Sequence, residues 1–309
     1  MANIRDIAKR TGYSVSMVSR VINQHPYVDE TKRQEILAVM KELNYVPNHT
    51  AQNLSYGKTK NIGVIVPFVN HPYYERIVKG VTQAAFPEQY KVTLLPTNYD
   101  PAAERSYLDE LAAKSFDGVI IASKANSVEV IQEYLPYGKI VLCEDVTIEG
   151  LSTVFVDRKG SFAEALHYMK DQGVKRIGVT LGRSGTKSNN SKIALDFCEA
   201  LFPDFDPRFV KIGCQDGEDG LKAAAFFQGH KVDGIFSNGD EVAAGLIEGY
   251  KEQQPPLIVG QENLFISRVM GFPTIDHQLP LCGKRAFEIL LADEIQRIKI
   301  PYRFIQNQK

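Results

Sequence analysis

Between Ile4 and Leu43 the apolar residues recur every three or four positions, whereas beyond Asn61 they gather into short uninterrupted runs. The first texture predicts amphipathic helices and the second predicts buried strands. Ile4, Ile7 and Ala8 form one helical stripe, which Gly12-Tyr13-Ser14 interrupts. Val15, Val18, Val21 and Ile22 form a second, ending near Asn23. Ile36, Leu37, Val39, Met40 and Leu43 form a third, with Asp29 or Thr31 placed to cap its start and Asn44 to stop it. Pro47-Asn48 and Gly57 bracket a short further helix, proline suiting a first turn and glycine a helix end.

The later runs are Ile62–Val66, Val92–Leu95, Gly118–Ile121 and Lys139–Leu142, then Ile177–Thr180, Phe209–Ile212, Gly234–Phe236 and Leu257–Gly260. Amphipathic stretches separate them. Strands alternating with helices predict parallel sheets covered on both faces, and two sets of runs predict two doubly wound lobes. The fold class expected is therefore α/β, with a head at 1–47, a linking helix at 48–60 and a two-lobed body at 61–309. A last strand-like stretch, Ile300–Ile305, has no leucine heptad after it, so no tetramerisation helix is expected.

A chain of 309 residues, 44% hydrophobic and 24% charged, has the make-up of an ordinary globular protein and is too long for one core. No apolar run nears the roughly 18 residues that would suggest a membrane span. The first residues lack the apolar stretch of a secretory signal, which makes the cytoplasm the expected compartment. Cys143, Cys198, Cys214 and Cys282 stand far apart, so neither a metal nor a redox pair is expected, and no cofactor is implied. Charge is uneven: residues 1–60 carry nine Lys or Arg against five Asp or Glu, while the rest of the chain is acidic. A basic head on an acidic body suits phosphate binding by the head alone.

Helix, tight turn and helix within residues 4–23 fit a helix-turn-helix, whose second helix enters the major groove, and fit a plain three-helix bundle equally well. The residue types separate the two. Asp6-Ile7-Ala8, Val18-Ser19-Arg20-Val21-Ile22-Asn23, Leu43-Asn44-Tyr45-Val46-Pro47-Asn48 and Ala51 with Leu54 form a nearly gapless pattern that resembles the headpiece and hinge of the lactose repressor family. Looser similarity continues through Asp117–Ile120 and Thr274-Ile275-Asp276 to Gly283.

The resemblance implies a repressor that reads a pseudo-palindromic double-stranded operator as a homodimer. Val15, Ser16 and Arg20 would face base edges, where arginine can bond guanine twice and valine can touch a thymine methyl; the alternative for Val15 is a core position. Ser14, Ser19 and Asn23 would position the helix on phosphates. Val18, Val21 and Ile22 are assigned to the core. In the hinge helix, Asn48, Ala51 and above all Leu54 would meet the minor groove, with Leu54 as the wedge that kinks the duplex.

The body resembles the periplasmic-binding-protein fold of the same family, with lobe crossovers near 157 and near 280. Phe68, Tyr73, Tyr74, Asp157, Lys192, Asn238, Asp240 and Glu262 are the implied effector contacts. Aromatic rings with carboxylates and an amide suit polyhydroxylated ligands, a sugar or sugar phosphate first. Two positions depart from the family: Ile193 replaces a common arginine, and Glu262 replaces a common aspartate. Leu181–Ser188 looks like a phosphate loop without its Gly-Lys-Ser ending; it reads as a cleft loop that, preceding a helix N-terminus, can still meet an anion. Three other readings stay open: control by a protein co-repressor, a solute receptor, and an enzyme on the same fold. No nucleophile elbow, zinc motif or dinucleotide fingerprint supports the last, and the neighbours Glu144 and Asp145 would point apart.

Overall fold

The computed structural model describes residues 2–23, 25–46, 57–186, 188–251 and 253–307, which fall into two compact units divided between Thr59 and Lys60. The first unit contains α1 (Ile4–Thr11), α2 (Val15–Ile22) and α3 (Glu30–Glu42). Asn3 starts α1 with a capping box, accepting from the Arg5 and Asp6 N–H groups while Asp6 accepts from its own. Gly12 ends that helix at φ +73°, where a side chain would be strained. Asp29 caps α3, and Asn44 leaves it in a left-handed turn at φ +47°. Ile7, Ala8, Val18, Val21, Val28 and Ile36 make the core of this unit, with Ile22 packed against it. Leu37, expected on the buried stripe, is instead 41% exposed because the inward face of α3 runs through Ile36, Val39, Met40 and Leu43.

The second unit is built on two six-stranded sheets. One lobe runs β1 (Asn61–Val66), α4 (Pro72–Ala85), β2 (Lys91–Pro96), α5 (Pro101–Ala112), β3 (Gly118–Ile121), α6 (Val128–Gln132), β4 (Lys139–Leu142) and β5 (Ser152–Val156). The chain then enters the other lobe through α7 (Arg158–Asp171), β6 (Ile177–Leu181), α8 (Asn189–Leu201), β7 (Val210–Ile212), α9 (Gly217–His230), β8 (Gly234–Phe236), α10 (Asp240–Gly249), β9 (Leu257–Gln261), α11 (Phe265–Met270) and β10 (Thr274–Asp276). It returns with α12 (Leu279–Leu291) and β11 (Arg297–Ile300), and crosses a third time to β12 (Arg303–Ile305). The strand orders β11-β5-β4-β3-β1-β2 and β12-β10-β9-β8-β6-β7 are those of doubly wound sheets.

Four strands add to the eight read from apolar runs. β5 carries Ser152 and Thr153, and β10 is only three residues long, so neither stands out as an apolar run. The stretch Ile300–Ile305 is two strands in different sheets, not one: Pro301 and Tyr302 separate them. The second of them, β12, pairs antiparallel with β10, the one exception to parallel order among the described strands. Each sheet is covered on both faces: on β1, Val64 and Ile65 join different apolar clusters, and on β8, Ile235 and Phe236 do the same. Helices α4 and α12 approach so closely that a Cβ on Gly80 would collide with the Pro280 carbonyl, and one on Gly283 with that of Ile77. Both glycines are therefore required by packing.

Candidate functional site

In the first unit, α2 has two distinct faces. Val18 and Val21 are buried, while Val15 is 43% exposed and Ser16 and Arg20 are open to solvent. Ser16 and Arg20 lie four residues apart and so share one side of the helix. Ser14 caps the helix by accepting from the Met17 N–H at 3.2 Å, which leads α2 out from the turn at Gly12. Ser19 and Asn23 are half-buried, and the Asn23 amide donates to the Ser19 hydroxyl at 3.3 Å. Among the described residues no carboxylate pairs with Arg20, whereas Arg10 is tied to Glu42 across α1 and α3. The expected hinge contacts Asn48, Ala51 and Leu54 lie outside the described residues.

In the second unit, a cavity of about 740 Å³ opens between the lobes at the strand ends, a size typical of small-ligand sites. Phe68, Tyr73, Tyr74, Asp157, Asn238 and Glu262 all lie on its wall. Two expected contacts do not. Lys192 is exposed on the outer side of α8, and Ile193 faces the cavity in its place. Asp240 is fully buried behind the wall, where its carboxylate accepts from the Leu264 N–H and the Thr274 hydroxyl, each at 2.6 Å. It therefore braces the loop after β9. Burial pushes its pKa up to about 7 despite those two bonds.

The floor of the cavity, formed by Arg158, Gln261 and Glu262, belongs to a buried polar cluster with His277 behind it. Arg158, the first residue of α7, donates through Nη1 to Gln261 Oε1 at 2.9 Å and lies 3.0 Å from His277 Nε2. His277 Nδ1 lies 3.5 Å from Glu262 Oε1. This arrangement assigns a neutral imidazole that donates from Nδ1 to Glu262 and accepts at Nε2 from Arg158. Burial, reinforced by the Arg158 charge, lowers the His277 pKa to about 4. Burial works against the Glu262 carboxylate too, but the bond to His277 and the charges around it outweigh that, and its pKa is lowered. Tyr73, from the other lobe, covers the guanidinium with its ring centroid 5.1 Å away. Two atoms of this cluster, Arg158 Nε and Glu262 Oε2, are buried without a hydrogen-bond partner.

This floor gives a signed pH expectation. The unfolded chain protonates His277 near pH 6.5, but the folded chain resists until about pH 4. Its contribution is thus fully present above 6.5 and lost as pH falls through that window. Asp240 runs the opposite way, since its folded pKa is raised. Comparing the native chain with His277→Gln cancels the Asp240 effect. The stability gap between them should narrow by up to about 3 kcal/mol from pH 7 to 4, measured by denaturant unfolding; a gap constant with pH would show that the imidazole is not held neutral.

Around the rim, Asp157 caps α7 by accepting from the Gly160 N–H at 3.1 Å and pairs with Lys299 at 3.0 Å. The Asn238 amide is already engaged, accepting from the Thr180 hydroxyl at 2.7 Å and donating to the Cys214 carbonyl at 2.8 Å. Glu144 accepts from the Lys124 N–H at 3.0 Å while its neighbour Asp145 pairs with Arg297, so the two carboxylates serve separate partners. Sequence reasoning missed Arg158, Gln261, His277, Tyr99 and Arg183. Arg158 and His277 directly follow Asp157 and Asp276, both marked in the sequence, but that adjacency alone does not show that the two meet.

Two family models together match most of the chain. Residues 3–48 match the model described as bacterial regulatory proteins, lacI family, and residues 59–308 match periplasmic binding proteins and sugar binding domain of LacI family. Catabolite control protein B of Bacillus subtilis is 43% identical over 307 residues, covering 98% of this chain and 99% of that protein. Among solved structures, a lac repressor dimer bound to operator and the anti-inducer ONPF superposes with a TM-score of 0.80 at 17% identity, covering 100% of this chain and 99% of that one. The transcriptional regulator CelR in complex with cellobiose gives a TM-score of 0.69 at 20% identity, covering 99% and 100%. These two likenesses are of fold.

Proposed function

The chain belongs to the lacI family of bacterial regulatory proteins and is a DNA-binding transcriptional regulator; on that premise we propose how its parts work. It acts in the cytoplasm as a repressor, and by binding rather than catalysis. Residues 1–47 read DNA, 48–60 form the hinge, and 61–309 bind the effector and a second copy of the chain. The observation that carries the reading is the divided surface of α2: Val18 and Val21 hold the helix to the core while Val15, Ser16 and Arg20 face outward, with Arg20 free of any carboxylate among the described residues. Ser19 and Asn23, beside them, and Ser14 at the helix start contact phosphates.

A homodimer places two such helices on a twofold-symmetric operator. The effector, a sugar or sugar phosphate, sits in the inter-lobe cavity against Phe68, Tyr73, Tyr74, Asp157, Asn238 and Glu262. Its binding changes lobe closure, and DNA affinity and effector affinity are coupled reciprocally, by about 1–3 kcal/mol for typical allosteric pairs. Titrating labelled operator with the full chain over a range of salt tests the reading: log affinity should fall linearly with log salt as phosphate contacts release counterions. A flat profile refutes it.

The hinge assignment of Asn48, Ala51 and Leu54 has its own test. Leu54→Ala should weaken operator binding far more than binding to random duplex, since only a specific, bent complex gains from the wedge. Equal losses on both, measured by fluorescence anisotropy, would remove Leu54 from the minor groove.

A further inference from the structure

The loop after β6, read from the sequence as able to meet an anion, and the first turn of α8 face the same cavity but hold none of the effector contacts proposed above. Ser188 caps α8 by accepting from the Ser191 N–H at 3.3 Å, while the N–H groups of Asn189 and Asn190 meet no acceptor among the described residues. Arg183 stands at this turn, its backbone carbonyl accepting from the Ser191 hydroxyl at 2.8 Å. Its guanidinium lies 3.7 Å from the ring centroid of Tyr99 in the opposite lobe, and among the described residues it has no ion pair. The carboxylates Asp145 and Asp157 on the same wall are already paired with Arg297 and Lys299. Arg183 is therefore left, among the described residues, with no carboxylate partner beside this helix N-terminus.

An independent observation points to a ligand. Arg158, 9% exposed, and Glu262, 5% exposed, both line this cavity, and each keeps a buried polar atom with no partner, one a donor and one an acceptor. Hydroxyl groups suit either atom, since a hydroxyl both accepts and donates. We propose that the first turn of α8 with Arg183 is a subsite for the oxyanion of a hydroxylated ligand, a sugar phosphate or a sugar acid, whose hydroxyls rest on Arg158 and Glu262. Backbone N–H groups, the helix dipole and a guanidinium are the donors such an anion needs. The anion engages Arg183, which already bridges to Tyr99, so its charge bears on the contact that joins the lobes. This deepens the effector reading and rests on it.

Calorimetric titration of the full chain supplies the test. The probes are glucose 6-phosphate, ribose 5-phosphate, gluconate and galacturonate, each beside glucose, ribose or galactose as its neutral parent, with inorganic phosphate alone. At least one anionic sugar should bind about tenfold or more tightly than its parent, the worth of one charge-assisted bond. Whether phosphates or acids prevail identifies the oxyanion. Arg183→Gln should collapse that ratio towards one; Arg208→Gln, which alters an exposed guanidinium paired with Asp206, should leave it intact. Neutral parents binding as tightly, a ratio that survives Arg183→Gln, phosphate alone matching the sugar phosphate, or no probe binding each overturns the proposal. Neutral sugars that bind and shift DNA affinity would sink the anion subsite and spare the effector reading. An Arg183-dependent sugar phosphate that leaves DNA affinity unchanged would do the reverse.

Discussion

Arg20→Ala should weaken operator binding by about 1–3 kcal/mol per half-site, the usual worth of one bidentate contact to a base. Binding to random duplex should fall only by the small loss of one positive charge. The contrast follows from the position of Arg20 on the outward face of α2, opposite the buried Val18 and Val21. A guanidinium that reads a base edge carries sequence information, whereas one that meets a phosphate does not. Anisotropy measurements on operators altered one base pair at a time should show preference relaxing at a single symmetric position. A uniform loss over all sequences would place Arg20 on the backbone instead.

Arg158→Met should be the most damaging change in the second unit. Methionine fills much of the volume of the arginine stem but removes the cation from the buried floor, leaving the Glu262 carboxylate beside a neutral imidazole. Arg158 and Glu262 do not pair directly, but the guanidinium charge favours the buried carboxylate across His277, and leaving a buried charge uncompensated costs about 3–5 kcal/mol. For a unit of this size that corresponds to a melting temperature lower by about 6–20 °C. Lys299→Met is the companion, because the Lys299 side chain is mostly exposed and a pair open to solvent is worth about 0–1 kcal/mol. Scanning calorimetry at pH 7 distinguishes the two. Similar melting temperatures for both variants would mean that the floor is not organised around a charged Arg158. The same variant should also respond weakly to any ligand of the cavity, since a donor in its floor is gone.

The architecture was largely legible because its strands are buried on both faces and so read as unbroken apolar runs. Where a strand carried hydroxyls, as β5 does at Ser152 and Thr153, or spanned three residues, as β10 does, that signal vanished. The crossing at Pro301–Tyr302 was hidden because alternating pattern says nothing about which sheet receives a strand. Residues facing the cavity were found where chemistry and resemblance agreed, as at Tyr73 and Glu262. Asp240 misled because a carboxylate after a strand looks the same whether it faces a ligand or, as here, Thr274 and the Leu264 N–H. Arg158 and His277 went unnoticed because their significance depends on the residue after β5 of one sheet meeting the ends of β9 and β10 of the other, which no local window contains. Lys192 sat beside the right position but on the wrong side of the helix.

Selection of bound duplexes from a random-sequence library by the full chain, followed by sequencing, tests the central claim most directly. A head that uses α2 to read DNA in a twofold-symmetric pair predicts enrichment of one pseudo-palindromic site, lost when Arg20 is replaced. Failure to enrich any sequence over the starting pool, at salt low enough for the basic head to bind, would contradict it.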